Sequence, residues 1–100
     1  MDEEARAKKI FKRLNRIFFS NSLPTPIIEV SDEASYPACI FYPKIILSKN
    51  LGKRLPEKLL HEMIHYHLFL QGFGEEEMAS SILGHSKRFK ELARKFGLPT

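Results

Sequence analysis

Apolar residues recur through "ARAKKIFKRLNRIFF" at Ile10, Phe11, Leu14, Ile17 and Phe18. Gaps of three, four and seven place them along one side of a helix and predict one from about Glu3 to Phe19. "SNSLPTP" ends it, because Asn21 and Ser22 favour turns and Pro24 and Pro26 cannot continue a helix. The pattern then changes. "IIEVS" reads as a short strand, and "ACIFYPKIILS" holds two β-rich runs, Ala38–Tyr42 and Lys44–Ser48, split by Pro43. These two runs predict a tight antiparallel pair. "KNLGKR" reads as a loop, and Pro56 suits the first turn of a second helix through "EKLLHEMIHYHLFLQ", ending at Gly72 or Gly74. "EEEMASSIL" is either a short helix or an ordered loop. A last helix is expected from about Ser86 to Phe96, burying Phe89, Leu92, Ala93 and Phe96 and closed by Gly97 and Pro99. The expected class is α+β: a small antiparallel or mixed three-stranded sheet backed by three helices.

Composition adds bounds. With 100 residues, 43% hydrophobic and 11% aromatic, the chain is expected to fold as one small domain, residues 1–100. Its single cysteine, Cys39, excludes an internal disulfide and a cysteine-rich zinc ribbon. Cys39 reads as a small core residue in preference to a cap on a metal. No stretch is apolar enough to span a membrane, and the charged "MDEEARAKK" is unlike a signal peptide. A cytoplasmic protein with no membrane partner is the expectation. The net charge of +4 comes from basic groups in the first helix, before the histidine stretch, and in the last helix. Solvated helix faces explain such groups most simply. Weak binding of DNA is the functional alternative.

The second helix carries the chemistry. "LLHEMIHYHL" holds three of the four histidines. Positions four apart on a helix differ by about 40°, so His61 and His65 project from one face and can bind one ion. Glu62 lies about 100° round from His61. There a carboxylate stands beside a metal without binding it, where a base must be to take a proton from an activated water. A histidine pair of this spacing also occurs as plain surface or satisfied core. Leu59, Leu60, Met63, Ile64, Leu68 and Phe69 make this helix apolar nearly all round, however, and buried Glu62, His61 and His65 then need partners, which Zn2+ supplies. His67 lies about 140° from the midpoint of the pair and is expected to take no part. A catalytic zinc uses three protein ligands. The remaining histidine, His85, follows Gly84 and opens the last helix. It is the preferred third ligand, with Glu75, Glu76 and Glu77 as rivals.

In combination these stretches resemble the SprT-like zinc metallopeptidases, which include the Spartan-type proteases. The resemblance covers nearly the whole chain: "LNRIFFSNSLPTPIIEVS" for the first helix and strand, "KIILSKNL" for the strand before the active-site helix, "LLHEMIHYHLFL" for that helix, and "GHSKRFKEL" for a Gly-His followed by a small residue and an aromatic. It implies a minimal zincin-like metalloprotease domain, with His61, His65 and His85 as zinc ligands and Glu62 as general base. It also implies an endopeptidase acting on peptides or unfolded proteins, DNA-associated ones among them. This chain departs from the family at Tyr66, where a shorter residue is common, and in a longer segment between His65 and His85. Within these residues neither a zinc ribbon nor the DNA-binding and partner-binding regions of Spartan-type proteins is expected. A minimal gluzincin-type peptidase, with a glutamate as third ligand, is the second choice. Peptide substrates are expected along an exposed sheet edge, and Tyr66, Tyr42 and Tyr36 are candidate oxyanion donors. The competing functional class is a non-catalytic, zinc-stabilised module that binds nucleic acid or another partner.

Overall fold

The computed structural model describes residues 2–31, 38–41, 44–74 and 84–98, with the backbone alone for 38–41. Tyr36, Tyr42, Pro43, Glu75, Glu76, Glu77, Pro99, the whole of "EEEMASSIL" and the side chain of Cys39 lie outside the described residues.

Helix α1 runs Glu3–Phe19. The Asp2 carboxylate accepts from the Ala5 N–H at 2.7 Å, satisfying one of the free donors of the first turn. Ser20 and Asn21, both at positive φ, stop the helix. Its buried face is Ala7, Phe11, Leu14, Asn15 and Phe19. Ile17, expected on that face, is 59% exposed. It lies about 120° from the centre of the buried set, which the small Ala7 and polar Asn15 complete in its place. Asn15 is buried for a reason: its amide donates to the Leu23 carbonyl at 2.9 Å and accepts from the Leu23 N–H at 3.2 Å. Those two bonds fold the proline-rich connector back onto α1 and aim the chain at the sheet.

The sheet holds β1 (Ile27–Ser31), β2 (Ala38–Phe41) and β3 (Lys44–Ser48) in the order β1-β3-β2. β3 pairs parallel with β1, Ile28 opposite Ile45 and Val30 opposite Leu47, and antiparallel with β2, Ile40 opposite Ile45. Ile28, Ile45 and Leu47 are buried and face the helices, as the two-residue period of a strand requires. The sheet therefore leaves β1 and β2 as edges.

A 3-10 turn, Gly52–Arg54, leads into α2, Leu55–Leu68, with Pro56 in its first turn. Helix α2 is the centre of the domain. Leu55, Leu59, Leu60, Met63, Ile64, Tyr66 and Leu68 are all buried, and the helix packs against α1, β2 and the last helix. Beyond Leu68 the backbone widens into a π turn, Phe69–Phe73, broken by Gly72 at φ 92°. A left-handed φ of that kind suits glycine, which is why the α-helix ends there. Helix α3, Lys87–Lys95, begins at Ser86, whose hydroxyl accepts from the Phe89 N–H at 3.1 Å. Phe89 and Ala93 are buried, while Leu92 and Phe96 are partly covered against the core. Three helices on a small sheet make the α+β class. No helix among the described residues is long and apolar enough to cross a membrane.

Candidate metal centre

Two of the site histidines come from the central helix. His61 and His65 stand one turn apart on α2, their ring centroids 5.1 Å from each other. The third comes from the far end of the chain. Gly84, at φ 108°, turns the backbone so that His85 enters just ahead of the α3 cap. Its ring lies 4.8 Å from that of His61 and 5.1 Å from that of His65. The three residues each bring a nitrogen, and these atoms lie within 4.8 Å of one another. All three are half-buried. The structure thus brings together His61, His65 and His85, which the sequence singled out. The glutamate rivals for the third place lie outside the described residues.

Electrostatics suit the triad to a cation. Burial pushes His61 down to about 4, and the neighbouring His65, His85 and Lys58 act in the same direction. Burial does the same to His65, also to about 4, reinforced by His85. Both imidazoles are therefore neutral at neutral pH, the protonation state that metal binding requires. Three imidazole nitrogens converging on one point match the donor set of a three-ligand zinc site.

Glu62 sits inside this arrangement and is only 4% exposed. Its Oε1 is 3.9 Å from His61 Nε2, too far for a hydrogen bond, and its Oε2 is buried with no hydrogen-bond partner among the described residues. Burial raises its pKa to about 7, while the Lys58 ammonium one turn earlier pulls it back. A buried, unpaired carboxylate is costly, and such strain persists where a function requires the group. A group that exchanges its proton near pH 7 is suited to work as base and then acid.

Two other candidates resolve differently. His67 is half-buried, with its ring 5.3 Å from Phe19, and it is not in the ligand group. Tyr66 is buried, and its hydroxyl donates to the Pro24 carbonyl at 2.9 Å. The long side chain pins the α1–β1 connector from below while Asn15 pins it from α1. That hydroxyl is therefore not an oxyanion donor. Tyr66→Phe is expected to cost about 1 kcal/mol, the usual worth of one such bond, seen as a melting temperature lower by several degrees. Metal affinity should not change. A Tyr66→Phe variant that melted like wild type but lost metal would contradict this placement.

One residue was read from the sequence only as core. The Phe89 ring touches all three imidazoles: centroids lie 4.8 Å from His61, 4.3 Å from His65 and 4.1 Å from His85, stacked on the last two. The available signal was its place one helical turn after His85.

No curated protein and no solved structure matches the chain at a significant level. The model of the SprT-like family matches residues 7–99, a span that holds α1 from its first buried residue, the whole sheet, the three histidines and Glu62. By that match over nearly its full length, the chain belongs to the SprT-like family.

Proposed function

We propose that the chain is a zinc-dependent endopeptidase, with His61, His65 and His85 as ligands and Glu62 as general base. The observation that carries this reading is Glu62 itself: a buried carboxylate with an unpartnered oxygen, set beside three convergent imidazoles. A zinc ion bound there would supply an activated water and polarise the scissile carbonyl. Glu62 takes one proton from that water at a carboxylate oxygen and gives it to the departing amide nitrogen. Its pKa of about 7 lets it do both at neutral pH. Three protein ligands would leave a fourth position on the ion for water or substrate, whereas a purely structural zinc usually has four protein ligands. That difference favours catalysis over a zinc-stabilised binding module.

The sheet suggests where a peptide would lie. Helix α2 packs against β2, and α1 against β1, so β2 is the edge strand next to the helix that carries His61 and His65. An extended substrate adding to β2 gains backbone hydrogen bonds with little dependence on its side chains, which suits unfolded proteins. The test is cleavage of a denatured protein such as casein by the zinc-loaded chain, lost with a chelator and restored by zinc. A loaded chain, with full zinc occupancy and open access to the site, that cleaves no denatured protein would overturn the reading.

Substrates bound to DNA form part of the proposal, as does a cytoplasmic setting. Lys8, Lys9, Lys12, Arg13 and Arg16 are exposed on α1, and Lys87, Arg88, Lys90, Arg94 and Lys95 on α3. If these faces meet phosphates, DNA affinity should be weak and should drop steeply between low and physiological salt. An affinity unaffected by salt, in a fluorescence-anisotropy titration, would rule out that contact.

A further inference from the structure

We propose that Phe89 is a positioning residue for the metal centre, whose buried ring sets the planes of all three imidazoles before an ion arrives. The inference rests on the three-histidine metal site and does not depend on peptidase activity. The interplanar angles are 21° to His85 and 27° to His65, so two imidazoles lie nearly flat on the phenyl ring, while His61 meets it edge-on at 62°. One ring with no exposed surface thus serves as a common floor.

The histidines need such a floor for different reasons. His61 and His65 have their backbones fixed by a buried helix, but their side chains still turn about two torsions each. His85 precedes the α3 cap and has no helical hydrogen-bond ladder of its own. Its ring meets those of His61 and His65 and lies closest to that of Phe89, on which it stacks at 4.1 Å. Phe89 is in turn held at its backbone by the buried Ser86 hydroxyl. Gly84, His85, Ser86 and Phe89 therefore act in sequence: a left-handed turn, a ligand, a cap, and the ring that fixes both the ligand and its two partners. Restricting the imidazoles during folding removes that ordering cost from metal binding, so affinity rises with no further bond to the ion. An aliphatic side chain fills the same space but offers no flat face.

The comparison that separates positioning from plain packing is Phe89→Leu against Phe11→Leu. Phe11 is also buried, at 1% exposure, and makes no ring contact with an imidazole among the described residues, so the two substitutions remove the same atoms from one core. Zinc affinity would be measured by competition with a chromogenic chelator, and ligand geometry by the visible spectrum of the cobalt-loaded chain. Phe89→Leu is expected to weaken zinc binding about tenfold or more, the scale for groups that orient metal ligands, and to alter the cobalt spectrum. Phe11→Leu should lower the melting temperature of the metal-free chain but leave affinity within about threefold and the spectrum unchanged. Phe89→Tyr, which keeps the ring, should keep the spectrum. Equal affinity losses in Phe89→Leu and Phe11→Leu would overturn the proposal, as would wild-type affinity in Phe89→Leu. A wild-type chain that takes up no zinc would remove the metal site and this inference together.

Discussion

Glu62→Gln should reduce peptide hydrolysis by at least about a hundredfold, the scale for losing a positioned general base, and leave zinc binding intact. Glutamine keeps the shape of the side chain but has no basic oxygen for the proton. Metal content should be unaffected, because Glu62 lies beside the triad and is not one of its three nitrogen donors. A second signature comes from pH. The folded chain holds the Glu62 proton up to about 7, against 4.5 for the unconstrained side chain. Between those two values the unfolded chain has released the proton and the folded chain has not. Folding stability from this group is therefore full below about 4.5 and is lost as pH rises to about 7. Glu62→Gln has no such term. In metal-free protein, the melting temperature of wild type minus that of the variant should fall across this window and then level off. His61 and His65, lowered by burial, act with the opposite sign and are common to both proteins. A difference that stays flat with pH would mean that Glu62 is not buried as described. A variant that cleaves as fast as wild type would end the peptidase reading.

What the sequence disclosed follows from the range of the interactions involved. Helices α1, α2 and α3 were legible because a period near 3.6 is local, and the signals that end them, Asn21, Gly72 and Gly97, are local too. The antiparallel pairing of β2 with β3 follows from their closeness along the chain. The parallel pairing of β1 with β3 does not, since it joins segments separated by the whole of β2. Ile17 shows the limit of periodicity: an apolar residue at a plausible spacing still faces solvent, because Asn15 is needed inside to bind Leu23. At the site, the spacing of His61 and His65 is geometry that any helix imposes. The arrival of His85 is different in kind. The sequence offered it as an available donor, but only the docking of α3 and the turn at Gly84 place it beside the other two. Phe89 was legible as core and not as a support, because a hydrophobic pattern reports burial without naming the neighbours.

Removing zinc, or any one of its three ligands, is expected to lower the melting temperature by about 10–20 °C under conditions where zinc is present at a hundred times its dissociation constant. Binding to the folded state alone contributes about 2.7 kcal/mol at that excess, and a domain of this length shifts by about 4–8 °C per kcal/mol. The increment is expected to be large because so small a chain buries a modest core and because an ion held by the triad would join α2 to the segment leading into α3. His61→Ala, His65→Ala and His85→Ala should each melt within a few degrees of the chelated wild type and gain nothing when zinc is added. Glu62→Gln should keep the full increment, which separates the base from the ligands without any assay of catalysis. The decisive variant is His85→Ala. If it retained the zinc increment, the third donor would have to come from elsewhere, Glu75, Glu76 and Glu77 being the carboxylates between His65 and His85 along the chain. The site would then follow the glutamate-ligand pattern. Loss of the increment in all three histidine variants, and in no other, is the result that the converging nitrogens require.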